Sequence, residues 1–375
     1  MLKLPFRDHH LLTMLSGYSE QNLPLDVFIR HYFRSNKALG SKDRAFITET
    51  AYGFICWQGL LDFLSKKSSW ESRYEFYHQA FYEKYLNDQE IPLHVRMSFP
   101  ESLFKLFVNS YGETKACELC LVSNERAPTS VRVNTLKTTR DEMLERWKAN
   151  YEVIPCQFSP NGITFLEKIN FLSMPEFQEG LFEVQDEGSQ LLSDLLKVEP
   201  GKLVMDYCAG SGGKTLAFAQ KMQGKGQIYL HDVRSHVLQE AKIRLRRAGI
   251  QNAQVVEAES PTLKKLKKKM DWVLVDAPCT GTGSMRRNPE MKWRFTEDTL
   301  TKLVGQQRII FEKALSYLKP DGRIVYATCS ILKEENEEQL EHFKKTYGLQ
   351  VEGEIFKSLP TKDGMDGFFG VVLKK

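Results

Sequence analysis

No apolar run in the 375-residue chain reaches the roughly eighteen residues a membrane span needs. The N-terminal stretch MLKLPFRDHHLLTML is broken by Lys3, Arg7, Asp8, His9 and His10 before an export-signal core can build. A cytoplasmic protein is therefore expected. Seven cysteines, an odd number scattered along a long chain, make no disulfide framework and suit a reducing compartment. Only one CxxC occurs, Cys117 and Cys120, with no second pair or histidine cluster to complete a tetrahedral site. No metal is expected, and this pair reads as one face of a helix. Fixed-period repeats and low-complexity tracts are also absent. Two nucleotide-binding fingerprints fail. Gly213-Lys214-Thr215 looks like the end of a phosphate-binding loop, but Cys208 stands where that loop requires its first glycine. The dinucleotide pattern fails because Thr215 occupies its third glycine position. Charge is nearly balanced, with 52 basic and 48 acidic residues, which admits a nucleic-acid partner without requiring one.

What is present describes a globular chain of more than one domain, 42% hydrophobic and 27% charged. Apolar residues recur at helical spacing through LPLDVFIRHYF and DRAFITETAYGFICWQGLLDFL, so residues 1–90 are expected to be all-helical. Pro92 and Pro100 flank a mixed stretch that reads as a joint between domains. Residues 91–175 mix short strands and helices, as a small α+β region. Over 176–375, strand candidates KLVMDY, GQIYLHD, AQVVEA, DWVLVDA and RIVYATCS alternate with helical patterns. Strict alternation predicts a doubly wound parallel sheet. The final candidate, DGFFGVVLKK, closely follows another near QVEGEIF, which predicts an antiparallel hairpin at one edge.

In such sheets ligands bind outside the carboxyl ends of the strands, and the polar residues of this chain collect there. DYCAGSGGKT leaves its strand through Asp206, Cys208 and the glycines Gly210, Gly212 and Gly213, which allow close backbone approach. Asp232 ends the next strand and suits ribose hydroxyls. Glu259 lies near the end of the one after, facing a purine edge. A nucleoside-shaped ligand is implied. Two further strand ends carry cysteine: Cys279 in VLVDAPCTGTG and Cys329 in RIVYATCS. Either alone would be an apolar filler. A pair in polar turns beside the crevice suggests nucleophilic chemistry, since a thiolate is a strong nucleophile once its pKa is lowered.

Together DYCAGSGGKT, DAPCTGTGSMRRNPEMKWRF, YATCSILKEENEEQL, VQDEGSQL and the terminal DGFFGVVLKK resemble the RNA cytosine-C5 methyltransferases of the RsmB/NOP family. The likeness covers essentially everything after Arg126. The helical segment resembles the NusB-type RNA-binding domain, and the combination is similar to bacterial 16S rRNA methyltransferases of the RsmB/Fmu kind. The resemblance implies a Rossmann-like class I fold and S-adenosyl-L-methionine as cofactor, leaving as S-adenosyl-L-homocysteine. It implies Cys329 as the nucleophile toward cytosine C6, Cys279 as the residue assisting proton removal and release, and Asp276 on the N3/N4 edge of the base, with Lys214 also reaching it. Cofactor contacts would come from Cys208, Ala209, Gly210, Ser211, Gly212, Gly213, Lys214, Asp232, Glu259 and Asp276, with Arg234 near enough to line the site. The family often has Ala-Pro-Gly-Gly where this chain has Gly210-Ser-Gly-Gly, and Asp where it has Glu259.

The partner implied is RNA, 16S rRNA first, presented as an unpaired or splayed base. Arg286, Arg287, Lys292, Trp293 and Arg294, directly after the cysteine loop, are expected to contact phosphates and to stack. Arg30, Arg34, Lys37, Lys42 and Arg44 form a second candidate patch, while the lysine run from Leu263 to Met270 reads as a solvated helix. Two readings stay open beside the main one: a tRNA substrate, and a non-catalytic RNA-binding protein whose NusB-like helices are the active part.

Overall fold

A computed structural model of the chain describes residues 4–19, 23–77 and 81–375. Lys3 lies outside them. The chain divides into two units, one of residues 1–126 with 284–297, the other of residues 127–283 with 298–375.

The first unit is helical, and its helices run well past residue 90. Phe6–Ser19, Leu25–Ser35, Ser41–Ser65 and Trp70–Phe76 are followed by Leu93–Arg96, Glu101–Tyr111 and Glu113–Asn124. Leu11, Leu15, Ile47, Phe54, Leu60 and Leu61 are fully buried at its centre. The expected boundary at 90 is therefore displaced to 126. Pro92 and Pro100 start helices instead of joining domains, with φ of −53° and −57°. Proline's fixed φ and missing N–H cost nothing at that position. The placement of 284–297 in this unit was not expected at all, because the segment comes from between a strand and a helix of the other one.

The second unit holds two sheets. The smaller comprises β1 (Thr129–Val133), β2 (Val153–Pro155), β3 (Gly162–Phe165) and β4 (Phe182–Val184), antiparallel in the order β2-β3-β1-β4. The helix Arg140–Trp147 belongs to this region, and its start is fixed by a capping box between Thr139 and Glu142. Met143 and Trp147 pack with Val131, Val133, Ile163 and Phe182. This is the α+β region expected from the sequence, beginning at 127.

The larger sheet contains β5 (Leu203–Asp206), β6 (Gln227–Asp232), β7 (Ala253–Glu257), β8 (Met270–Asp276), β9 (Leu318–Thr328), β10 (Gln350–Val351), β11 (Phe356–Ser358) and β12 (Phe368–Lys374). The order is β7-β6-β5-β8-β9-β12-β10, with β11 also on β12. Strands β5 to β9 pair in parallel; β12 runs antiparallel to β9, Val372 opposite Val325. Val273, Leu274 and Val275, and Ile324 to Ala327, are wholly buried. Such uninterrupted apolar strands are those covered on both faces. Leu216, Leu238 and Ala241 belong to the cluster over one face, and Phe311, Ala314 and Phe343 to the cluster over the other. The strand sequence reverses direction between β5 and β8, which places a crevice at their carboxyl ends.

Candidate active site

Strands β8 and β9 end side by side, Asp276 opposite Ala327. The Ala277 N–H donates to Ala327 O at 2.8 Å and the Gly283 N–H to Cys329 O at 2.9 Å, which ties the two following loops together. That backbone pairing brings Cys279 Sγ to 3.3 Å from Cys329 Sγ. The glycines of the TGTG turn permit it. A Cβ on Gly283 would lie 2.1 Å from the carbonyl oxygen of Gly367, whose own N–H donates to Gly283 O.

The two thiols are not equivalent. The hydrogen bond to Cys329 pushes the Cys279 thiol well above its ordinary pKa, and burial adds to it. Cys279 is thus held toward its protonated form. Burial works against the Lys214 ammonium, but the Asp276 carboxylate outweighs it, and charge on Cys329 contributes in the same sense, so its pKa is raised. Lys214 Nζ donates to Asp276 Oδ2 at 2.5 Å. A cation therefore stands near Cys329, the arrangement that favours a thiolate.

Across the crevice, the turn after β5 uses backbone that glycine supplies, φ being +52° at Gly210 and +80° at Gly212. Asp232 at the end of β6 accepts from the Gly210 N–H at 2.9 Å and from the Arg234 N–H and guanidinium. Burial opposes its charge, but these donors prevail and hold its carboxyl below the usual value. Ser211 accepts from Arg244 at 2.6 Å, and Glu259 is exposed in the stretch after β7. Asp206 had no role in the sequence reading. Its Oδ2 accepts from Thr215 Oγ1 at 2.7 Å, yet Oδ1 is buried without a partner. Burial raises its pKa to about 7. An orphaned carboxylate oxygen and a second carboxylate beside an open glycine turn suit a ligand that carries both an ammonium group and ribose hydroxyls. S-adenosyl-L-methionine has both. Asp206 lay in plain view at the strand end, but sequence could not show that one of its oxygens lacks a donor.

The basic and aromatic residues after the cysteine loop require correction. Lys292 is 1% exposed inside the helical unit, donating to Cys56 O at 2.6 Å and Asn124 Oδ1 at 2.5 Å, with the Phe99 ring 4.4 Å away. Trp293 Nε1 donates to Ile55 O, Arg294 to Tyr18 Oη and Leu23 O, and Arg286 is buried. Lys292 and Trp293 are anchors of the segment within this unit, not a phosphate and stacking surface. Arg287 is half-buried and the rest of Arg294 is exposed. A Lys-Trp-Arg run has the same composition whether it grips RNA or a neighbouring helix. Elsewhere in the helical unit, Arg30, Phe33, Arg34, Lys37 and Arg44 line one concavity of about 450 Å³, which does not include Lys42. Among the described residues no cluster of three or more metal-ligating side chains occurs, and no helix is long and apolar enough to cross a membrane.

Comparisons with known proteins agree on one family. Residues 193–374 match the family described as 16S rRNA methyltransferase RsmB/F, and residues 99–171 match its ferredoxin-like domain. A probable ribosomal RNA small subunit methyltransferase B from Synechocystis is 30% identical over 310 residues, 77% of this chain and 70% of that one. The ribosomal RNA small subunit methyltransferase B of Vibrio vulnificus is 33% identical over 285 residues, 74% of this chain and 66% of the relative. The chain thus spans about two thirds of the length of these relatives. In fold, the solved structure of PH0851 matches all of this chain and all of its own, with a TM-score of 0.81 at 23% identity.

Proposed function

Since the chain belongs to the RsmB/F family of 16S rRNA methyltransferases, whose members depend on S-adenosyl-L-methionine, we propose that it methylates C5 of a cytidine in small-subunit rRNA through a covalent bond to Cys329. Such a substrate implies work in the cytoplasm. The observation that carries the reading is the pair of sulfurs 3.3 Å apart at adjacent strand ends, next to the Lys214–Asp276 pair.

The bound cofactor supplies an electrophilic methyl group on a sulfonium and leaves as S-adenosyl-L-homocysteine. Cytosine C5 is too weak a nucleophile to take that methyl unaided. The Cys329 thiolate adds to C6, its lone pair forming the S–C6 bond while the C5=C6 π pair becomes available to form the C5–CH₃ bond. Asp276 accepts from the N4 amino group and Lys214 donates to the same edge, which stabilises the charge displaced into the ring. Alkylation of Cys329 removes the largest of the causes that raise the Cys279 pKa, and Cys279, its own proton given up to solvent, serves as the base. It then takes the C5 proton, the C–H pair restores C5=C6, and the C6–S pair returns to Cys329. The basic concavity formed by Arg30, Arg34, Lys37 and Arg44 offers phosphate contacts to the RNA.

The test is to incubate Cys279→Ala and Cys329→Ala separately with S-adenosyl-L-methionine and rRNA or tRNA, then to look for RNA-bound protein on a denaturing gel. Cys279→Ala is expected to accumulate an adduct with rRNA, and Cys329→Ala to form none and to transfer no methyl. An adduct seen only with Cys329→Ala reverses the roles. Transfer to tRNA alone would replace the proposed substrate.

A further inference from the structure

Beneath the two thiols lies a carboxylate that the mechanism above does not use. Glu335 is fully buried and sits in the loop that carries Cys329 away from β9. Its Oε1 accepts from the Thr280 N–H at 2.9 Å and from Gln307 Nε2 at 3.0 Å; its Oε2 accepts from Thr280 Oγ1 at 2.5 Å. Thr280 is the residue directly after Cys279. Gln307 Nε2 also donates to Pro278 O, the residue directly before it, at 3.0 Å. The backbone on either side of Cys279 is thus held by Glu335 and by the glutamine that Glu335 orients. The Glu335 carbonyl accepts from Tyr326 Oη at 2.8 Å, which fixes the acid to β9. Ser330, next to Cys329, also hydrogen-bonds the Glu335 carboxylate, and it is held independently as well: it pairs with Thr282 at 2.9 Å and its carbonyl accepts from Asn336.

We propose that Glu335 is the positioning residue for Cys279: it clamps the loop of the releasing cysteine to the loop of the nucleophile, and thereby governs release of methylated RNA, not methyl transfer. The inference rests on the cysteine roles proposed above. A buried carboxylate is costly unless its oxygens are satisfied, and here every donor but the Ser330 hydroxyl flanks Cys279 or also binds a residue that does. The nucleophile keeps other anchors without this clamp, because Cys329 follows β9 directly, its carbonyl is held by the Gly283 N–H, and Ser330 is held by Thr282 and Asn336 besides Glu335. A base that must meet a C–H on a ring fixed by its neighbour tolerates little displacement. Charge at this position also matters. In Glu335→Gln one acceptor becomes an NH₂ group, which would face the Gln307 amide or the Thr280 hydroxyl, so the clamp loosens without loss of volume.

The measurement compares single-turnover methyl transfer, steady-state turnover and gel-trapped RNA adduct in wild type, Cys279→Ala, Glu335→Gln and Glu335→Asp, with S-adenosyl-L-methionine affinity as the control for folding. Glu335→Gln is expected to hold cofactor affinity and the first turnover within about two-fold while steady-state turnover falls at least about ten-fold and adduct accumulates. Glu335→Asp, which keeps the charge, is expected to recover part of the turnover. If Cys279→Ala traps adduct and Glu335→Gln loses single-turnover transfer with none trapped, Glu335 is merely structural and the inference is overturned. If Cys279→Ala itself traps nothing, the cysteine roles fail first. Should Glu335→Gln lose cofactor binding, Thr280→Val carries the same two outcomes, since it removes one donor and leaves the carboxylate bound by the main-chain N–H of residue 280, by Gln307 and by Ser330.

Discussion

Asp206 shows what a single buried acid contributes. Its carboxyl titrates at about 7 in the folded chain against an ordinary 3.8. Between those values the folded state holds a proton that the unfolded chain has lost. The stabilisation it gives is complete below about pH 4 and is lost as pH rises through about 7. Asp206→Asn keeps the shape without the charge. Without cofactor, the variant is expected to unfold at a higher temperature than wild type at pH 8, and the difference should vanish near pH 4. Calorimetry is expected to show S-adenosyl-L-methionine bound about ten-fold more weakly at pH 8, because a charge-assisted partner for the ammonium group is gone. Equal affinity in the two proteins would place the ammonium elsewhere.

At the scale of elements, the catalytic arrangement depends on two turns meeting backbone to backbone. Gly283, in the turn after β8, and Gly367, at the start of β12, approach so closely that a Cβ on Gly283 would overlap a main-chain carbonyl, and Gly367 Cα lies 2.8 Å from that Cβ position. Neither contact is with a flexible side chain that yields. Gly283→Ala is expected to push the loop of Cys279 away from Cys329 O and lower kcat at least about hundred-fold, the effect of roughly an ångström of misplacement. The circular-dichroism spectrum of the sheet should stay unchanged, because β8 and β9 pair independently of this turn. Activity within about ten-fold of wild type would show that the loop accommodates the methyl group.

For the whole molecule, the segment 284–297 follows the turn after β8 and packs within the helical unit. Lys292 is its deepest anchor, and burial lowers the pKa of that lysine to about 8 despite the nearby Cys56 and Cys120 sulfurs. The unfolded chain titrates near 10.4. Stability from this group is therefore present above about pH 10.4 and lost as pH falls through about 8. Lys292→Ala leaves a cavity and two carbonyl oxygens without a donor. It is expected to lower the stability of the helical unit by about 3 kcal/mol at pH 7.5. That deficit should grow between about pH 8 and 10, when followed by hydrogen exchange of Ser41–Ser65. A deficit that shrinks with pH would mean that the buried ammonium is stabilised by its partners over its whole titration.

The alternation of strand and helix, the glycine turn after β5, the antiparallel final strand and the two cysteine turns were all legible in the sequence, because each is written in residues that are neighbours along the chain. Periodicity decides which face of an element is apolar, and a glycine permits its own turn. Tertiary structure alone decided three other matters: that Lys292 and Trp293 point into a helical core, that Asp206 keeps one oxygen without a donor, and that Glu335, embedded in the charged run KEENEE, is buried under Thr280. In sequence these are ordinary charged residues, indistinguishable from solvated ones. Burial of a charge is settled by what distant segments bring against it, and the donors that make Glu335 tolerable come, besides nearby Ser330, from residues 280 and 307, on a different loop and a different helix.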